Sequence, residues 1–339
     1  MRRGWFGLGL LAVVVLAVAA AAQAGGSSTS ITVYSGQHPE TVASLVSVFE
    51  KQTGIKVNVR SDDEDVLAAQ IVQEGKHSPA DVFFTENTPP LEDLQQRGLL
   101  SPVAASTLAH VPAKYNSSKK RWLGVSARVS VLVYNTKSLT TAQLPKSVLD
   151  LANPKWKGKL AIAPSETDFQ PIVTAVAAKY GSARAVTWLK ALKSNATDHT
   201  YPDNETLVAE VNAGRAEIGV INHYYWFRLR DELGKSKVHS AEHLFAAGDP
   251  GYVIDVSGAG ILASSKHQAE DQKFLAFLVG KQGEEILAHS ESYEYPLGSG
   301  VKTTKPLVPF GTLKPDPISL AQLGNGQAAI ALLRQAGLF

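Results

Sequence analysis

Residues 31–59, ITVYSGQHPETVASLVSVFEKQTGIKVNV, decide the fold class. Ile31-Thr-Val-Tyr34 is a β-rich run stopped by Ser35-Gly36. Pro39 then opens a helical stretch in which Val42, Leu45, Val46 and Phe49 repeat at the i, i+3, i+4, i+7 spacing of one buried face. Gly54 closes that helix as a C-terminal cap residue, and Ile55-Lys-Val-Asn-Val59 is the next strand. Moving outward, a helix over Val66 to Glu74, a strand at Asp81-Val-Phe-Phe84 and a helix after Pro89-Pro90 complete a βαβαβ run. Such alternation predicts an α/β fold with a mostly parallel sheet covered by helices.

A long β-rich stretch, Trp122 to Tyr134, leads into a second series. It comprises a strand at Lys159 to Ala163, helices over Asp168 to Tyr180, Ala183 to Leu192 and Glu205 to Asn212, and a strand at Glu217 to Asn222. Gly214 lies just past the third of these helices. A further β stretch, Tyr252 to Leu262, precedes a helix from Ala269 to Leu278. Two similar series joined by long β stretches predict two lobes with more than one crossing between them.

The 339-residue chain is long enough for two domains, and 44% hydrophobic with 19% charged residues excludes a disordered or low-complexity protein. Cysteine is absent, which excludes a disulfide, an iron–sulfur cluster, a thiolate zinc site and a cysteine nucleophile. Met1-Arg2-Arg3, the apolar run from Trp5 to Ala22 and Ala22-Gln23-Ala24 read as a cleavable signal peptide over residues 1–24, with an uncleaved anchor as the alternative. The expected location is the periplasm, without an N-terminal lipid because there is no cysteine to carry it. Beyond Arg2 and Arg3, 31 basic side chains face 31 acidic ones, so no positive excess remains to hold nucleic acid.

Open α/β sheets bind ligands at the carboxyl ends of their strands, so polar residues just past the predicted strands are the candidates. They are Gln37-His38, Glu86-Asn87 and His223-Tyr224-Tyr225. Each has a plain structural reading: His38 as a helix cap, Glu86 as a solvated loop acid, and the tyrosines with Trp226 and Phe227 as an aromatic core cluster. Together they are an imidazole, a carboxylate and two phenols, a sulfur-free set that suits a hard cation. A phenol, with an ordinary pKa near ~10, gives up its proton only to a strongly polarising ion. Two phenolates and a carboxylate balance Fe³⁺, with neutral His as the fourth ligand.

The chain resembles the ferric-ion-binding proteins of the bacterial transferrin-like class, periplasmic solute receptors of ABC-type iron importers. The matching segments are Ile31-Thr-Val-Tyr-Ser-Gly-Gln-His38, Ser78-Pro-Ala-Asp-Val-Phe83 continuing to Glu86, Pro154-Lys-Trp-Lys157, Asn222-His-Tyr-Tyr-Trp226, Asp249-Pro-Gly251 and Glu294-Tyr-Pro-Leu297. The resemblance implies a type II two-lobed binding-protein fold with discontinuous lobes and a ligand cleft between them. We place the N-terminal lobe at 30–127 plus 256–300 and the C-terminal lobe at 128–255 plus 301–339. It also implies a monomeric binding protein, not an enzyme, that delivers Fe³⁺ to an inner-membrane ABC permease. By the same resemblance His38, Glu86, Tyr224 and Tyr225 are the metal ligands. Asn87, Asn204 and Asn222 match positions that help to hold a synergistic anion such as carbonate or phosphate.

One segment departs from the family pattern. Where phosphate-using members carry small residues, this chain has Glu166-Thr167-Asp168. Either Thr167 and Gln170 form a capping box with Asp168 in the first turn, or a carboxylate of Glu166 or Asp168 replaces the anion. Both readings put phosphate in doubt. His223 is expected near the site's edge or on the surface. The competing functions are a receptor of the same fold for a polyamine, thiamine or molybdate, and a metal-dependent hydrolase with Glu166 or Asp168 as base.

Overall fold

Pro39 sets the first turn of helix α1 (Pro39–Thr53), whose Val42, Leu45 and Phe49 are buried, and Gly54 ends it at φ 72° with its N–H donated to Glu50 O at 2.9 Å. Burying each such side chain contributes about 1.5–3 kcal/mol, which fixes the face this helix turns to the sheet. The computed structural model describes residues 29–298 and 300–339. The expected signal peptide lies outside the described residues, among which no helix is long and apolar enough to cross a membrane.

In chain order, β1 (Ser30–Ser35), α1, β2 (Lys56–Ser61), α2 (Glu64–Glu74), β3 (Val82–Thr85), α3 (Thr88–Gln96) and the short α4 (Ala105–Leu108) make the first series. The long strand β4 (Trp122–Asn135) follows, buried along its whole length. The second series is β5 (Leu160–Ala161), α5 (Gln170–Tyr180), α6 (Ser182–Ala196), α7 (Asn204–Ala213), β6 (Ile218–Asn222), α8 (His223–Leu233) and β7 (Ser240–His243). Then come β8 (Ile254–Ile261), α9 (Gln268–Leu278), α10 (Lys281–His289), β9 (Tyr295–Pro296), α11 (Leu320–Leu323) and α12 (Gln327–Ala336).

The strand order is β2-β1-β3-β8-β4-β6-β5, with β7 and β9 also paired to β4. The two α/β series are thus built around a two-lobed mixed sheet, and the cleft lies where their strands end. Among the strands, parallel pairing joins β1 to β2, β1 to β3 and β5 to β6, where helices make the return crossings. The expectation of mostly parallel sheets therefore holds inside each series and not at the crossings. There β4 and β8 pair antiparallel with each other, and β8 also pairs antiparallel with β3 and β4 with β6, because they pass between the series as extended strands. Residues 122–129 of β4 pair with β8, and residues 130–134 pair with β6. One strand therefore belongs to both halves of the molecule. Helices α9 and α10 pack on α1, and α12 packs on α5 and α6.

Candidate metal centre

Three turns at strand ends bring the sequence candidates together. After β1 the chain turns through Gly36-Gln37, where a Cβ on Gly36 would stand 2.6 Å from Glu64 Cβ. The missing side chain lets the start of α2 approach. His38 then occupies the N-cap position of α1 without a capping hydrogen bond, so its ring is free for the cleft. Gln37 donates to Ser257 Oγ at 2.9 Å and to Glu294 Oε2 at 3.0 Å, which fixes this turn. After β3, the Glu86 and Asn87 backbone N–H groups donate to Glu64 Oε2 at 2.8 and 2.9 Å, and Asn87 Nδ2 donates to Glu64 Oε1 at 2.9 Å. A buried carboxylate thereby clamps the turn that presents Glu86. After β6, Asn222 occupies the N-cap position of α8 without a capping hydrogen bond, and Tyr224 and Tyr225 project from the first helical turn with rings 4.2 Å apart.

The side chains converge. His38 Nδ1 is 3.0 Å from Glu86 Oε1, and the His38 and Tyr224 rings meet edge-on at 5.2 Å. Tyr224 Oη lies 3.2 Å from Glu86 Oε2 and 3.3 Å from Asp168 Oδ2, and its single hydrogen can be donated to only one of them at a time. His38 Nε2 has no partner among the described residues. Helix-cap, solvated-loop and plain-core roles therefore do not describe His38, Glu86 and Tyr224: the first caps nothing, the second is largely enclosed, and the third turns its hydroxyl to two acids.

Asp168 enters the same point. Its Oδ1 accepts from Asn87 Nδ2 at 3.1 Å and its Oδ2 from Asn204 Nδ2 at 3.2 Å. The capping box expected at Thr167 and Gln170 is not formed. Thr167 Oγ1 instead accepts from Asn87 at 3.0 Å, Gln170 Nε2 is buried without a partner, and the chain enters α5 through a 3₁₀ turn, Thr167–Phe169. A tertiary partner has taken the hydroxyl that the local pattern assigned to the helix. Glu166 faces the adjoining cavity. Asn222 Nδ2 is buried and unpartnered. His223 is no surface residue: it is buried, accepts from Val129 N–H at 3.3 Å and contacts Tyr293 O at 2.8 Å, tying β4 to the segment before β9.

Sequence reasoning passed over three charged residues. Arg128, buried in β4, bonds Glu294 through Nη2, places Nη1 3.6 Å from both Glu86 Oε2 and Asp168 Oδ1, and lies 5.5 Å from the Tyr224 ring centre. Glu294 and Glu64 are the other two. The available signal was a lone arginine inside an apolar strand, since a charge is buried only with partners.

Protonation follows from this crowding. Burial, helped by the Arg228 and Arg128 charges, lowers His38 to about 4, so its imidazole is neutral. Burial, with Asp168 and Glu294 adding, pushes Glu86 up to about 8 against the pull of Arg128. Burial, then the neighbouring Asp168 and Glu86, holds both phenols well above their usual value. Among the described residues no three His, Asp or Glu side chains stand together as a metal site; a hard cation bound here would have to draw on the phenols as well. As the protein stands, Glu86 and both phenols hold their protons at neutral pH.

Fold and site together define a periplasmic-type binding protein with its ligand centre between two lobes. The model of the bacterial extracellular solute-binding protein family matches residues 77–317, and the chain belongs to that family. The Fe(3+)-binding periplasmic protein of Serratia marcescens is 43% identical over 316 residues, covering 93% of each chain. Iron-bound HitA from Pseudomonas aeruginosa superposes with a TM-score of 0.86 at 38% identity, over 91% of this chain and 100% of that one. The Trichodesmium protein FutA, solved in complex with iron and citrate, gives 0.80 at 31% identity, over 91% and 100%.

Proposed function

We propose that this chain is an extracytoplasmic receptor that captures ferric iron between its lobes and delivers it to an ABC-type importer. The observation that carries this reading is the meeting of His38, Glu86 and Tyr224, from three separate strand ends, within 3.0–3.3 Å of one another's polar atoms or of Asp168. Ferric-binding relatives that cover nearly the whole chain support it. His38, Glu86, Tyr224 and Tyr225 supply four donors, and the phenolates are the groups that only a trivalent ion repays. Asp168, already held by Asn87 and Asn204, takes the place of a synergistic anion, so added phosphate is not required. The lobes are 30–127 plus 256–300 and 128–255 plus 301–339, which agrees with α9 and α10 packing on α1 and α12 on α5 and α6. Closure is driven by the ion, because only the closed state offers the full donor set. Export to the periplasm follows from the leader read in the sequence.

A ferric titration of the exported chain, followed by visible absorbance, tests the reading. A phenolate-to-iron band that saturates at one equivalent is expected, whereas a colourless titration would overturn it.

A further inference from the structure

Beside the centre lies a cavity of about 780 Å³ whose wall carries Asp63, Asp65, Glu86, Glu166, Asp203 and Glu205. Asp63 and Asp65 come from the N-terminal end of α2, Asp203 and Glu205 from the N-terminal end of α7, so the two rims belong to opposite halves of the chain. No Lys or Arg is among the described lining residues. Arg228 stands outside, 3.6 Å from Glu205. An acidic rim alone means little, since solvated carboxylates are ordinary at helix starts. A second feature gives this one a direction. Tyr225, only 6% exposed, lines the same cavity, and its hydroxyl makes no hydrogen bond among the described residues. A phenol whose ring is buried and whose hydroxyl opens on the cavity among carboxylates, with no protein partner among the described residues, is placed to meet a cation that arrives through this mouth.

We propose that the acidic mouth sorts ferric cargo by charge, passing cationic and neutral ferric species and slowing anionic chelates of the ferric polycarboxylate kind. This rests on the ferric reading of the centre. A cleft lined by one sign of charge focuses its field and changes the encounter rate of a charged solute by about 10–10³-fold. The effect is screened over about 8 Å at physiological salt, so it must weaken as salt rises. Burial, then the neighbouring Asp168, pushes Glu166 up to about 9, and burial pushes Glu86 up to about 8, so the charge filter is tested on the four acids at the starts of α2 and α7 and not on these two.

The test follows ferric loading by stopped-flow absorbance, with ferric dicitrate as the anionic donor, for the exported protein and its Asp63→Asn, Asp65→Asn, Asp203→Asn, Glu205→Gln variant. Asn at position 203 can still cap α7, where Asp203 Oδ1 now accepts from Thr206 N–H at 2.6 Å. The variant is expected to load about tenfold faster or more at low salt, with the gap closing in high salt. The native protein alone should load faster from ferric dicitrate as salt rises, a readout that survives if the variant fails to fold. Hexaamminecobalt(III), a trication that cannot exchange its ligands, should slow loading of the native protein from neutral donors by occupying the mouth. Coloured, saturable binding with loading rates indifferent to salt, trication and rim charge would overturn the charge filter and leave the ferric reading intact. No colour from any ferric donor would overturn both.

Discussion

His38 and Glu86 stand on turns tied down by polar side chains, whereas Tyr224 and Tyr225 stand on the first turn of a helix held by ring packing. On the first side, Glu64 takes three hydrogen bonds from the Glu86-Asn87 turn, and Gln37 reaches Ser257 and Glu294. On the second, Tyr224 packs against Tyr225, His38 and His223, and only its hydroxyl is engaged in polar contact. A donor on a clamped turn cannot be disturbed without leaving buried polar groups unpaired. A phenol can lose its hydroxyl and keep its packing. The two sides should therefore fail in different ways.

The largest effect is expected from pH, which strains both sides at once. Without iron, Glu86 is pushed up to about 8 and both phenols lie well above their usual value, while His38 at about 4 is already neutral. Ferric binding between about pH 5 and 8 therefore expels roughly three protons, one from Glu86 and one from each phenol. The sign is fixed: affinity falls as pH falls, by about a thousandfold per unit in that window and about a hundredfold above it. Proton release in a pH-stat titration measures this directly, and a count near one would mean that the phenols do not bind as phenolates.

Next come Tyr224→Phe and Tyr225→Phe, each expected to weaken ferric affinity by about a hundredfold or more with little change in melting temperature. Ferric titration and thermal melts read the two quantities separately. Retained iron colour with a marked loss of stability would make the tyrosines core residues and erase the contrast between the sides.

Glu64→Gln should show the opposite signature. Its amide would face the Glu86 and Asn87 donors, costing about 1–3 kcal/mol of stability and, through the displaced turn, about tenfold in ferric affinity. Urea unfolding beside ferric titration checks both, and a variant that loses affinity at unchanged stability would show that Glu64 contacts the ion instead of the turn.

The smallest effect is expected where the sides meet, at Glu166-Thr167-Asp168. Combining Glu166→Ser with Asp168→Ala removes two acids near Asn87 and Asn204 and should create a few-fold dependence of ferric affinity on added phosphate. If the native protein loses its iron when phosphate is dialysed away, and the double variant behaves alike, Asp168 does not stand in for an anion.

How much of this was legible follows the same division. The strand-end rule finds His38, Glu86, Tyr224 and Tyr225 because β1, β3 and β6 are marked by local hydrophobic runs. It says nothing of Glu64, Arg128 or Glu294, whose roles come from partners far away in the chain, such as Arg128 with Glu294 across 166 positions. Thr167 and Gln170 match a capping box in spacing, yet Asn87, 80 residues away, claims the hydroxyl. Local patterns carry elements and their ends. They do not carry which buried charges meet.

X-ray absorption on the one-to-one ferric complex tests most directly whether one ion takes donors from both sides. Imidazole scattering from His38 should appear together with short phenolate oxygens, the first lost in His38→Gln and the second reduced in Tyr224→Phe. An iron shell that lacks imidazole in the native protein, or that is unchanged in both variants, would contradict a single ferric ion held between the two halves.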